Sequence, residues 1–172
     1  MSNKVTIPEK AKYTYQDYAQ LPEGAPYQLL KGNLVMNPSP TPYHQWISFA
    51  LGLAINQYLE KVSSINGVVF PAPLDVYFEE TEVFLPDLIF IAQEHEHIIG
   101  EQKIEGAPDL VVEILSESTA YYDLRHKKAI YAKHGVREYW IVDPMAKSFE
   151  VYGLTDGQYH LQSEAQEKGQ VA

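Results

Sequence analysis

Apolar positions change period several times along this chain, and each change marks an element. Residues 1–12 carry no periodic pattern and are expected to form a loose arm ahead of one domain, 13–172. Thr14 can cap a short helix over Tyr15–Leu21, which Pro22 and Gly24 terminate. Tyr27–Leu30 and Asn33–Met36 flank Lys31-Gly32 and predict a β-hairpin. Pro38, Pro40 and Pro42 then stiffen the connection, since each fixes φ and removes a backbone donor. Thr41-Pro42 starts a helix well, with Thr as N-cap and Pro at the first helical position. From there Ile47, Leu51, Ala54, Ile55, Tyr58 and Val62 recur at helical spacing up to Asn66-Gly67.

The period then shortens. Strands are expected over Val68–Phe70, Leu74–Phe78, Leu85–Ile91 and Pro108–Leu115. The last two are almost continuously apolar, as central strands covered on both faces should be. Ser118-Thr119 can cap a second long helix running to His134, with Gly135 as its stop. Glu138–Asp143, Ser148–Tyr152 and Gln158–Leu161 close the chain as strands joined by turns at Pro144 and Asp156-Gly157. This order predicts an α/β or α+β domain, with a mixed sheet flanked by two long helices.

Charges inside the apolar segments carry the chemistry. Glu113 interrupts Leu110–Leu115, a stretch that otherwise reads as buried strand, and Asp87 opens Leu88–Ile91 in the same way. A buried carboxylate needs a metal, a cation or hydrogen-bond donors. Two such acids fit a shared metal ion, and they equally fit a pair of capped or salt-bridged side chains. Asp109 lies on the Glu113 face by strand alternation and can support the pair, or it can satisfy backbone donors beside Pro108. On the second helix Lys127 projects into the stripe formed by Ala120, Leu124, Ile130 and Tyr131, while Lys128 sits at its flank. A lysine there either snorkels to the rim or meets an acid, and the two strand acids favour the second. His44, in the first turn of the long helix, can touch an anionic substrate or serve as a cap. His95 and His97 give a weak metal signal in an acidic loop.

Composition narrows the field. The 172 residues include no cysteine, which excludes disulfides, thiol catalysis and thiolate-bound zinc. No apolar run approaches the ~20 residues of a membrane span, and residues 1–8 lack a signal-like apolar core, so a cytoplasmic protein is expected. The net charge of −10 counts against a protein that merely coats nucleic acid. That charge is uneven. Glu79, Glu80, Glu82, Asp87, Glu94, Glu96, Glu101 and Glu105 face Lys103 alone, whereas Arg125, Lys127, Lys128, Lys133 and Arg137 outnumber Asp123 and Glu138. The aromatic closing strands (Tyr139, Trp140, Phe149, Tyr152, Tyr159) offer apolar area for a homodimer. Phosphate-binding glycine loops and the hydrolase nucleophile elbow are both missing from the sequence.

Pro86-Asp87, Glu113 and a following lysine resemble the PD-(D/E)XK nuclease superfamily. The chain more closely resembles the Uma-two family of restriction endonuclease-like proteins, from Thr14 to Tyr152. Residues 106–119, Asp123 with Lys127, 135–144, 38–44 and 86–91 carry the likeness. It implies a restriction endonuclease-like fold and Mg²⁺- or Mn²⁺-dependent hydrolysis of DNA, with RNA the less favoured substrate. Asp87 and Glu113 would hold the metal, and Lys127 would stand in for the lysine usually found two residues after the acid, where this chain has Leu115. The resemblance also draws His44, Gln28, Lys128, Tyr131 and Asp109 in as supporting or substrate-contacting groups. The family hairpin carries acids where this chain has Gln28, Lys31 and Asn33, which favours a rival reading: a nuclease-like protein that binds nucleic acid or a protein without cutting. A two-carboxylate sugar hydrolase is a third reading. Family members also continue into a further strand and helix, which this chain is expected to lack.

Overall fold

A computed structural model describes residues 9–62, 64–116 and 123–167. The α+β class stands, but the strands form two mixed sheets where the periodicity predicts one. The first elements are α1 (Tyr15–Tyr18), β1 (Tyr27–Leu30), β2 (Asn33–Met36) and α2 (Pro42–Lys61). Then come β3 (Gly67–Pro71), β4 (Val76–Glu79), β5 (Glu82–Phe84), β6 (Leu88–Ala92) and β7 (Ile104–Glu105). After β8 (Leu110–Ile114), a π-helical turn over Asp123–Lys127 leads into α3 (Lys128–His134). Strands β9 (Glu138–Asp143), β10 (Ser148–Thr155) and β11 (Gln158–Gln166) complete the order. The expected cap at Ser118-Thr119 lies outside the described residues, so the second helix is seen only from Asp123 onward.

The six-stranded sheet runs β11-β10-β9-β8-β6-β3, with β8 and β9 parallel and the other pairs antiparallel. Leu88, Leu110, Val112, Ile114 and Val142 line one face, covered by Ile47, Leu51 and Ile55 of α2. Thr41 caps that helix by accepting the His44 N–H at 3.2 Å, with Pro42 following it as the sequence predicts.

The opposite face presents Ile89, Ile91, Val111, Tyr139 and Ile141. It packs against the second sheet, β2-β1-β5-β4-β7, through Leu30, Val76, Phe78 and Phe84. Tyr131 and Val136 fill the same layer. The outer face of the second sheet carries Leu29 and Val83 beneath Tyr18 of α1. Asp17 accepts the Thr14 N–H at 3.0 Å, yet α1 stops after one turn rather than reaching Leu21.

The aromatic residues of the closing strands turn inward. Tyr139 is fully buried, and Trp140, Phe149, Tyr152 and Tyr159 pack against the two clusters. The apolar area expected there for self-association is therefore used inside the molecule.

Candidate functional site

Alternation along β8 puts Val112 and Ile114 against α2 and turns Glu113 toward the layer between the sheets. Glu113 is buried, and its Oε1 accepts from Lys127 Nζ at 2.9 Å and from Tyr131 Oη at 2.5 Å. Lys127 and Tyr131 are four residues apart, the spacing that places two helical side chains on one face. The Lys127 ammonium is itself buried and lies 5.8 Å from the centre of the Phe84 ring. The helix lysine thus reaches a strand acid and does not snorkel to the rim.

Asp87 stands at the start of β6, beside the end of β8. Its Oδ2 accepts the Ile114 N–H at 2.7 Å. His44 Nε2 lies 3.3 Å from Asp87 Oδ1 and 3.1 Å from the Ile114 carbonyl oxygen. A carbonyl only accepts, so Nε2 carries the proton, and His44 Nδ1 is left buried without a partner. The hydrogen bond to Asp87 raises the His44 pKa above the usual imidazole value of 6.5, against the opposing effect of burial. A raised folded-state value stabilises the protein below the ordinary imidazole range, and that contribution is lost as pH climbs through the raised value. In metal-free protein the melting temperature of wild type should therefore fall relative to His44→Gln as pH rises above 6.5. Parallel melting curves across that window would show that His44 does not titrate against Asp87.

The second sheet adds Glu82, which sequence reasoning missed, and carries Gln28, which the family resemblance singles out. The register Leu29↔Val83 sets Gln28, Leu30, Glu82 and Phe84 on the inner face. Glu82 is buried, and His126 Nε2 sits 3.1 Å from both of its oxygens. Gln28 is buried too, with its Oε1 unpartnered. In the sequence Glu82 was only one of eight acids in a charged stretch, and a three-residue strand is too short to show a period.

The remaining candidates lie elsewhere. Asp109 is at the far end of β8, about 13 Å along the strand from Glu113 at ~3.3 Å per residue. It accepts from Ala92 N–H at 2.8 Å and from His95 Nδ1 at 2.9 Å, with Arg137 Nη1 at 3.5 Å. That tie also explains His95, whose neighbour His97 is exposed. Lys128 turns away from Glu113 and places its Nζ 3.2 Å from the centre of the Tyr152 ring, where burial lowers its pKa against the pull of Glu150.

Hard oxygens therefore converge at the end of β8: Asp87 Oδ1 and the Ile114 carbonyl, with the Glu113 carboxylate on the adjoining residue. Among the described residues, no three His, Asp or Glu side chains are grouped to hold a metal. No described helix is long and apolar enough to cross a membrane.

A family model, Uma2, described as "Putative restriction endonuclease", matches residues 15–171. Among solved structures, the crystal structure of "a putative nuclease belonging to DUF820" from Anabaena variabilis ATCC 29413 aligns with a TM-score of 0.70. It is 23% identical, with 86% of this chain and 83% of that chain covered, so the likeness is one of fold. No curated protein matches significantly. The family match spans almost every residue that builds the two sheets and the polar layer between them, and the chain belongs to the Uma2 family.

Proposed function

We propose that this chain is a divalent-metal-dependent nuclease hydrolysing DNA phosphodiester bonds. Family and fold support a nuclease. The observation that carries the finer reading is the buried Glu113, tied to Lys127 and Tyr131 one residue from the point where Asp87 and the Ile114 carbonyl meet. An all-oxygen donor set suits Mg²⁺ or Mn²⁺. The imidazole N–H between Asp87 Oδ1 and the Ile114 carbonyl marks these oxygens as a seat for positive charge. Asp87, Glu113 and the Ile114 carbonyl would hold the ion. When bound, it supplies Lewis acidity toward the phosphate and lowers the pKa of a coordinated water. Lys127 offsets negative charge developing on the phosphate, with Glu113 fixing its direction and Tyr131 fixing that of Glu113. His44 must give up its contacts with Asp87 and Ile114 for both oxygens to face an ion.

The test is calorimetric Mn²⁺ titration of wild type, Asp87→Asn and Glu113→Gln, paired with nicking of supercoiled DNA and cleavage of an RNA of matching sequence. Saturable binding and DNA nicking are expected in wild type and in neither variant. Full binding retained in both variants would make these carboxylates structural. A second reading, binding without cutting, is favoured by the way Asp87 Oδ2 already caps the Ile114 N–H while His44 takes up Oδ1. It predicts oligonucleotide binding with neither Mn²⁺ uptake nor nicking.

A further inference from the structure

The outer face of α2 is apolar, and no described residue covers it. Tyr43, Trp46, Phe49 and Leu53 are 60%, 64%, 71% and 48% exposed. Ile47, Leu51 and Ile55 on the inner face already pack against the sheet, so among the described residues the fold makes no use of these four side chains. Trp46, Phe49, Ala50 and Leu53 fall within about 100° of the helix circumference, and Tyr43 stacks on Trp46 with ring centres 6.3 Å apart. Exposed apolar patches of this kind mark interaction sites.

We propose that this face pairs with the same face of a second copy, the two α2 helices running antiparallel about a two-fold axis near Ala50. Three features select that partner. The stripe is self-complementary in the antiparallel sense. Its bulky end (Tyr43, Trp46) meets the partner's smaller Leu53, Ala54 and Gln57, while Ala50 at the axis lets the backbones approach. Its charge pattern permits self-association, because Glu60 and Lys61 are the only formally charged residues in the 20-residue helix and both sit at its last turn, outside the contact. Its size also suits a second copy: the four side chains present roughly 400 Å² per copy, and flanking residues such as Ala54 and Gln57 extend this toward the ~800 Å² per partner of a stable interface. A nucleic acid or an anionic membrane would call for Lys or Arg along the stripe, and it has none before Lys61. This pairing is independent of the chemistry proposed for Glu113 and Asp87.

Sedimentation equilibrium of the full chain tests it. Wild type should approach twice 19.6 kDa as concentration rises, and Phe49→Glu should weaken self-association on the order of 30-fold, the loss expected of a central aromatic contact. Phe49 touches solvent in the monomer, so a cooperative melting transition that matches wild type at concentrations low enough for both to be monomeric confirms that the variant folds; Trp46→Gln serves in its place if it does not. With no native cysteine, Ala50→Cys should cross-link to its own copy on mild oxidation and Glu60→Cys should not. A monomer mass at every concentration overturns the pairing. So does a dimer indifferent to these substitutions, equal cross-linking at residues 50 and 60, or a monomer that binds neutral lipid vesicles through Phe49.

Discussion

Lys127→Met should lower stability by about 3–5 kcal/mol, the usual result of stripping one partner from a buried ion pair. The methionine stem fills much of the same space, so the loss arises from the Glu113 carboxylate, which keeps the Tyr131 hydroxyl but loses the ammonium at 2.9 Å. Adding Glu113→Gln should restore most of that stability, because the double variant buries no uncompensated charge. DNA nicking should be absent from both. Urea unfolding of the four combinations, with nicking followed in parallel, separates folding from chemistry. A single variant as stable as wild type would mean that the pair is not buried and ionised as a unit. A nicking-competent Lys127→Met would remove the lysine from the proposed reaction.

Tyr131→Ala should be as severe, again about 3–5 kcal/mol, for a reason rooted in packing. The Tyr131 ring is fully buried, with ring centres 5.5 Å from Phe78, 5.7 Å from Phe84 and 5.2 Å from Tyr139. Removing it opens a cavity where helix, sheet and sheet meet. Tyr131→Phe keeps the ring and loses the hydrogen bond to Glu113, at a cost of about 1–3 kcal/mol. Guanidinium unfolding reads both. If Phe proved as damaging as Ala, the hydroxyl rather than the ring would be the main contributor. Nicking by Tyr131→Phe then reports how strongly the direction of Glu113 matters.

Much of this was legible in the residues themselves. An acid inside Leu110–Leu115 and a lysine inside the stripe of the following helix each violate burial, and their contact resolves both violations together. Thr41-Pro42 announced the start of α2 because capping is local chemistry. The Glu82–His126 contact was illegible, since its partners lie 44 residues apart and neither interrupts an apolar run. The second sheet was hidden for a similar reason. β5 and β7 span three and two residues, too few for alternation to register. Asp109 shows the limit of alternation: sharing a strand face with Glu113 says nothing of nearness when three residues intervene.

The polar layer draws Gln28 and Glu82 from one sheet, and Asp87 and Glu113 from the other. At that point the chain passes between the sheets through Leu85-Pro86-Asp87 and through the neighbouring segment 72–75, whose Ala72 N–H donates to the Asp87 carbonyl at 2.9 Å. Each sheet has its own ladder of backbone hydrogen bonds, so a sub-global opening can part them while both ladders persist. Native-state hydrogen exchange would then find slow amides in β8 and β9 under conditions where the Glu113 cluster is already wet. Inactivation by mild heat or denaturant would precede the loss of secondary structure, and ligands bridging the two sheets would close that gap.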